Sequence, residues 1–191
     1  TCATSTAALL ERVSVDSAGL QSTGTSSAPA ISGDGRVVVF TSSTQFGFGS
    51  TNGRPGVFAK DRTTGKLERI SDERGGDQPS ISADGNFVTY RSLEDLPKVR
   101  KFDRRTTGPR DSVSFPFANG QSRRFGDLGQ LSANGAWTAY IFRPEPSNLT
   151  QTGHQIVRHS AQPGPNFDDS QTIIASNLRD ASRAVVSNSG L

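Results

Sequence analysis

The chain has 191 residues, 32% hydrophobic and 20% charged, with a formal net charge of +3 and no methionine. No apolar run approaches the roughly 18 residues that a membrane-spanning helix needs, and the apolar residues are too evenly spread for a disordered chain. The densest basic stretch, Lys98, Arg100, Lys101, Arg104 and Arg105, is interrupted by Asp103, which gives a solvated strand face and not a phosphate track for nucleic acid.

Residues 1–8 read as a flexible tail, and a chain that opens at Thr1 without any Met is expected to be a processed, exported one, periplasmic or extracellular. Cys2, the single cysteine, has no partner for an internal disulfide. Leu9-Leu-Glu-Arg-Val-Ser-Val15 matches Lys66-Leu-Glu-Arg-Ile-Ser71, so residues 9–15 are expected to be the last strand of an earlier unit. Pro29-Ala-Ile-Ser-Gly-Asp-Gly-Arg-Val-Val-Val-Phe-Thr-Ser-Ser43 then reads as a short strand, a turn and a longer strand. Its Asp34-Gly35 pair predicts a two-residue hairpin with positive φ at both central positions.

Residues 44–55 are longer than the pattern requires and hold Phe46, Phe48, Asn52 and Arg54, which makes them a candidate partner-binding loop. Phe46 and Phe48 either contact a partner or fold back on the strands. Gly56-Val-Phe-Ala-Lys-Asp61, a turn at 62–65 and Lys66–Ser71 supply two more strands.

The pattern returns as Pro79-Ser-Ile-Ser-Ala-Asp-Gly-Asn-Phe-Val-Thr-Tyr-Arg-Ser92, followed by Val99–Arg104, a turn at 105–108 and Ser112–Phe115. Arg123, Arg124 and Phe125 are a second, weaker contact candidate. A third copy, Gly129-Gln-Leu-Ser-Ala-Asn-Gly-Ala-Trp-Thr-Ala-Tyr-Ile-Phe142, leads into a Pro-rich loop at 143–153 whose Leu149 is a third candidate. Looser strands are expected at Gln155–Arg158 and Gln171–Ala175, and Ala184-Val-Val-Ser-Asn-Ser-Gly190 begins a fourth copy. The turn glycines, Gly35, Gly85, Gly135 and Gly190, are spaced by 50, 50 and 55 residues.

Four antiparallel strands in about 50 residues is the size of one propeller blade. The expected fold is all-β, a β-propeller with about three complete four-stranded blades (29–71, 79–115 and 127–176) and partial blades at 9–15 and 183–191. The repeat Pro-x-Ile-Ser-x-Asp-Gly, with Val and Phe or Tyr after it, resembles the TolB-like or WD-like propeller repeats of exported bacterial proteins. That resemblance covers nearly all of residues 9–190 and implies a propeller, export, and a binding or scaffolding role. A common variant has Asp-Thr-Asn-Gly before Asp-Val-Phe. Ser50 and Gly56 stand where those acids would be, so no metal site is carried over.

Little in the chain points to catalysis. There is no Gly-x-Ser-x-Gly, no phosphate loop and no Cys-x-x-Cys, and no cofactor is expected. His154 and His159 read as surface or loop histidines, and Asp72-Glu73, Glu94-Asp95 and Asp168-Asp169 as turn acids. Trp137 and the two tyrosines, all expected to be strand-buried, offer little platform for a glycan. The expectation is a non-enzymatic module that binds a protein partner, or further copies of itself through open blade edges. The alternative is the accessory propeller of a larger secreted hydrolase or peptidase with its catalytic domain elsewhere.

Overall fold

A computed structural model of the chain describes residues 10–21, 23–95, 97–106, 111–112, 125–143, 154–160 and 171–178. Twelve strands lie among them: β1 (Ser26–Ile31), β2 (Val37–Ser42), β3 (Gly56–Asp61), β4 (Leu67–Arg69), β5 (Gly76–Ile81), β6 (Phe87–Ser92), β7 (Val99–Asp103), β8 (Asp111–Ser112), β9 (Phe125–Leu131), β10 (Trp137–Arg143), β11 (His154–Ser160) and β12 (Gln171–Leu178). Each repeat makes one four-stranded sheet with its strands antiparallel in chain order: β1-β2-β3-β4, β5-β6-β7-β8 and β9-β10-β11-β12. The first strands of successive sheets approach one another, β1 with β5 and β5 with β9. Among the described residues the fourth strands make no comparable approach, so the sheets fan out from the side of their first strands.

Strand alternation divides each sheet into two faces, and both are apolar near the middle. Ala30, Val37, Val39, Val57, Ala59 and Ile70 of sheet 1 pack on Ile81, Val88, Tyr90 and Phe102 of sheet 2. Val99 of sheet 2 in turn meets Tyr140, Phe142 and Val157 of sheet 3. The face turned toward the preceding sheet is called upstream below, and the opposite one downstream.

The turns joining the first two strands of each sheet are locked in the same way three times. Ser32 N–H donates to Val37 O at 2.9 Å and Gly35 N–H to Ser32 O at 2.9 Å. The Ser32 hydroxyl donates to Asp34 Oδ1 at 2.6 Å and accepts from Val37 N–H at 2.9 Å, while Arg36 N–H reaches the same Asp34 oxygen at 3.0 Å. Ser82 and Asp84 repeat the set toward Asn86 and Phe87, and Ser132 and Asn134 toward Ala136 and Trp137. These bonds hold the Asp34 carboxyl below its ordinary pKa, with the Ser32 hydroxyl the largest cause and the Arg36 N–H next. At Asp84 burial opposes ionisation, and bonds from Ser82 and Asn86 outweigh it.

This corrects the expected two-residue hairpin. Gly35, Gly85 and Gly135 have φ of 71, 73 and 69°, but Asp34, Asp84 and Asn134 are not among the positive-φ residues. The acid serves as a hydrogen-bond acceptor inside a longer turn, and only the glycine needs the left-handed region.

The same corners tie the sheets together. Gly33 N–H donates to Ala83 O at 2.9 Å, and Ala83 N–H to Ala133 O at 2.7 Å. The turn glycines of the second and third sheets also seat against the preceding sheet: a Cβ on Gly85 would stand 3.1 Å from Val37 Cγ2, and one on Gly135 2.4 Å from Phe87 Cδ2. The Phe87 ring is flanked by Lys101 Nζ at 4.4 Å and the Arg105 guanidinium at 4.7 Å, and Lys101 donates to Gly135 O at 2.5 Å. Arg104 donates to Glu68 of sheet 1 and, at 2.6 Å, to Gly85 O.

Two further details recur 50 residues apart. Ala28 (φ 49°) and Gln78 (φ 52°) adopt the left-handed conformation just before Pro29 and Pro79, where the register shifts in β1 and β5. Residues 10–15, expected as a strand, form none, because no strand lies beside them among the described residues to complete a ladder. Val15 and Gln21 make one isolated bridge across a turn in which Asp16 Oδ1 accepts from the Ala18 and Leu20 amides at 2.8 Å each. The expected partial blade at 183–191 lies outside the described residues, as does most of the expected strand 112–115.

The corner serines are buried, Ser82 fully so at 0% exposure, and losing a hydroxyl leaves a buried amide without its acceptor. Ser82→Ala is expected to lower the unfolding free energy by about 1–3 kcal/mol, and Gly135→Ala by no less, since strain and the Phe87 contact add. Urea titration followed by the fluorescence of the single Trp137 measures both. Midpoints equal to that of the parent chain would refute the lock.

Candidate functional site

In a sheet whose strands run up and down in order, alternate connections lie at opposite ends. The locked corners mark one end. The β2–β3 and β6–β7 connections and the links between sheets mark the other, here called the loop rim. The strands that open onto it include β2, ending at Ser42, β8, ending at Ser112, β9, starting at Phe125, β10, ending at Arg143, and β11, starting at His154. Of the candidate contact residues read from the sequence, Phe46, Phe48, Asn52 and Arg54 lie in the β2–β3 connection at this rim. Arg123, Arg124 and Leu149 themselves lie outside the described residues. Phe125 opens β9 opposite Arg143, and its side chain is not among those described.

The rim of sheet 1 is built around the connection 43–55, about twice the length of its counterpart 93–98 in sheet 2. Phe46 turns back onto the sheet. Its ring meets Phe58 edge-on at 5.0 Å and 78°, and Phe40 at 6.2 Å and 87°. Phe48 lies 6.0 Å from Phe58 and stays 39% exposed. This fold-back needs left-handed backbone at Phe46 (φ 48°), Gly47 (82°) and Gly49 (83°), which glycine supplies at two of the three positions.

Beyond it, Arg54 N–H donates to Thr51 O at 3.0 Å. With Asn52 at φ 54° and Gly53 at 76° this is a type I′ turn, the geometry expected of an Asn-Gly pair, found in this loop and not at the corners. Asn52 is exposed at its tip.

Arg54 is a structural link. Its guanidinium donates to Leu93 O and lies 3.7 Å from Asp95 Oδ1, while the adjoining Pro55 O accepts from Gly76 N–H at 2.9 Å. Gly75, at φ 78°, passes so close that a Cβ there would be 2.6 Å from Pro55 O. Of the four candidates in this loop, Phe46 and Arg54 thus serve the fold, and Phe48 and Asn52 face outward.

Sequence reading passed over the charged groups that stiffen the same rim. Arg91 grips Asp77 through two bonds of 2.7 and 2.5 Å. Glu94 accepts from Ser92 at 2.8 Å and Arg100 at 2.9 Å, with Lys98 Nζ at 3.8 Å. Burial opposes ionisation of Glu94, but these hydrogen bonds and charges prevail and hold its pKa below the usual glutamate value. The signal for these pairs was available only as positions on neighbouring strands, Asp77 opposite Arg91, which requires the register.

Both histidines are in β11, the third strand of its sheet, and the side chain of His154 is not among those described. His159 is half-buried, and burial, with the nearby charge of Lys101, lowers its pKa from 6.5 to about 4, so its imidazole is neutral at pH 7. Tyr90 and Tyr140 are buried, whereas Trp137 is half-buried under the Arg158 guanidinium, 4.6 Å from its ring. Among the described residues no group of three His, Cys, Asp or Glu is placed to hold a metal ion. No described helix is long and apolar enough to cross a membrane.

Comparison with solved structures decides what the three fanned sheets are. TolB from Acinetobacter baumannii is similar over 78% of this chain and 32% of its own, with 21% identity and a TM-score of 0.54. The tricorn protease is similar over 88% of this chain and 19% of its own, with 12% identity and a TM-score of 0.59. The β-propeller domain of the Trilobed protease from Pyrococcus furiosus is similar over 82% and 44%, with 8% identity and a TM-score of 0.54. The fold is a TolB-like β-propeller. Its three sheets are blades 1 to 3, and the chain spans about a third of the length of the TolB structure. No protein-family model matches the chain, and no curated protein matches it in sequence.

Two predictions follow from the propeller's rim and from β11. Arg54→Ala, which removes two of the contacts joining blades 1 and 2, is expected to cost about 1–2 kcal/mol of stability, against less than about 0.5 for the outward Asn52→Ala, both read from thermal melts. For His159 the neutral form is the folded one, so its contribution is complete above pH 6.5 and is lost as pH falls toward 4. His159→Asn is expected to remove the part of the urea-midpoint decline that falls between those values. An unchanged pH profile would show that the imidazole is not buried as described.

Proposed function

We propose that the chain is a protein-binding propeller module whose contact surface is the loop rim. What supports the reading is the long blade 1 loop at that end, on a framework stiffened by the Arg54, Arg91–Asp77 and Glu94–Arg100 pairs. A rigid base with outward side chains such as Phe48 and Asn52 favours association, because less side-chain and loop freedom is lost on contact. Export to the periplasm or the extracellular space is part of the same proposal, supported by the likeness to TolB and by the repeat motif.

A second reading has its own support. Two of the similar structures are from proteases, and the chain covers less than half of either. On that reading it is the accessory propeller of a larger hydrolase, and its rim faces a catalytic domain instead of a separate protein.

The test is site-specific photocrosslinking in the native host. A crosslinker at position 48 or 52 is expected to trap a protein partner, and one at position 36 or 66 on the opposite end is not. Adducts only within a single longer polypeptide favour the hydrolase reading. Equal trapping from both ends, or none from the rim, rejects the loop rim as the contact surface.

A further inference from the structure

An asparagine followed by glycine can be attacked by its own main chain, because the glycine puts no side chain in the way of the five-membered ring that forms. Among the described residues the pair occurs at Asn52-Gly53 and at Asn134-Gly135, and the fold treats the two in opposite ways. A third pair, Asn119-Gly120, lies outside the described residues.

At the corner of blade 3 both reacting groups are held. Asn134 Oδ1 accepts from the Ser132 hydroxyl at 2.7 Å and from Ala136 N–H at 3.0 Å, which turns the carboxamide toward residue 136 and away from the Gly135 nitrogen. Gly135 N–H donates to Ser132 O at 2.9 Å, and Gly135 is buried against the Phe87 ring. Its nitrogen can become a nucleophile only after the corner has opened. Asn86 is restrained in the same way, its Nδ2 donating to Asp84 Oδ2 at 2.7 Å, and Phe87 follows it in place of a glycine.

The rim turn imposes none of these restraints. Asn52 and Gly53 are both exposed. The turn is closed by Arg54 N–H on Thr51 O at 3.0 Å and by Asn52 N–H on Ser50 Oγ at 3.0 Å. Among the described residues no hydrogen bond engages the Asn52 carboxamide or the Gly53 amide. A Cβ on Gly53 would meet nothing within 4 Å, so there is room for the ring. Bringing the Gly53 nitrogen up to the carboxamide breaks one exposed turn bond, which slows the attack by no more than about tenfold relative to an unfolded chain.

We infer that Asn52-Gly53 is a self-modification site, at which deamidation turns the tip of the blade 1 loop from a neutral carboxamide into a carboxylate, while Asn134-Gly135 is protected by its corner. The Gly53 nitrogen bonds to Asn52 Cγ, the Cγ–Nδ2 bond breaks, and Nδ2 leaves as ammonia with the proton that the Gly53 amide gave up. The cyclic imide then takes up one water. Cleavage between its nitrogen and Cγ leaves an aspartate at position 52, and cleavage at the main-chain carbonyl carbon leaves an isoaspartate, with Cβ inserted into the backbone. No oxidant, metal or cofactor enters the balance. Both products add a negative charge, and the isoaspartate also lengthens the turn by one backbone atom. The inference holds whether or not the rim is a contact surface.

The test is to hold the purified chain in mildly alkaline buffer, folded and in urea, and to follow positions 52 and 134 separately by peptide mapping with mass spectrometry. In the folded chain position 52 is expected to convert at least about tenfold faster than position 134, with isoaspartate detected by enzymatic methyl transfer, and in urea the two rates are expected to converge. Ser132→Ala, which frees the Asn134 carboxamide, is expected to speed conversion at 134 and leave 52 unchanged. Equal rates at the two positions of the folded chain overturn the inference, as does a position 52 that converts only in urea. Should Ser132→Ala not fold, the comparison of folded and urea-treated parent chain decides alone.

Discussion

A four-stranded sheet of this kind is apolar on both faces and can bury neither alone, so each blade depends on a neighbour at a fixed distance and angle. The corner Ser-x-Asp/Asn-Gly fixes both. Its serine closes the turn internally, and its second residue, Gly33 or Ala83, bonds to the next corner. In blades 2 and 3 its glycine lets the blade close on the preceding one until it touches Val37 or Phe87. The valine and aromatic clusters between blades 1, 2 and 3 then fall into contact because the spacing has already been set at the corners. Removing a Cβ at one position per repeat thus governs the burial of half a dozen side chains at each joint.

Much of this was readable beforehand, because a repeat prints the same constraint several times. The strands after each Asp-Gly or Asn-Gly, their order within a unit and the period of the blades all follow from motifs at 29–43, 79–92 and 129–142. The detailed turn geometry did not, since an Asp before a Gly is compatible with two turn classes, and only the Ser two residues earlier, with its hydroxyl bond to Asp34, selects the longer one. The candidate loop was legible as an insertion but not in its orientation. Phe46 could face water or Phe58 with equal sequence logic, and the choice rests on which face of the sheet Phe40 and Phe58 share, which depends on strand register. The ion pairs were illegible for a related reason: Arg91 and Asp77 are fourteen residues apart and become neighbours only through the β5–β6 register.

Conserving stability and varying contact are thereby assigned to different ends of the molecule. The corner end is occupied by bonds that the fold requires at every repeat, so substitutions there disturb packing before they alter any surface. Among the described residues the loop end carries one long connection, 43–55, and two short ones, 70–75 and 93–98, on a platform held by ion pairs. Such a division lets the same blade frame present unrelated surfaces, in keeping with the range of proteins that share the propeller.

The left-handed residues before Pro29 and Pro79 bear on the molecule's solubility. Edge strands β1 and β5 turn one side away from their sheets, and an unbroken edge of that sort templates the stacking of further chains into cross-β fibrils. At Ala28 and Gln78 the backbone leaves the pleat, and the proline that follows has no amide hydrogen to offer. A foreign strand laid along either edge would lose its ladder within two or three residues, so filament growth from the innermost strands is blocked by the same irregularity that bends them.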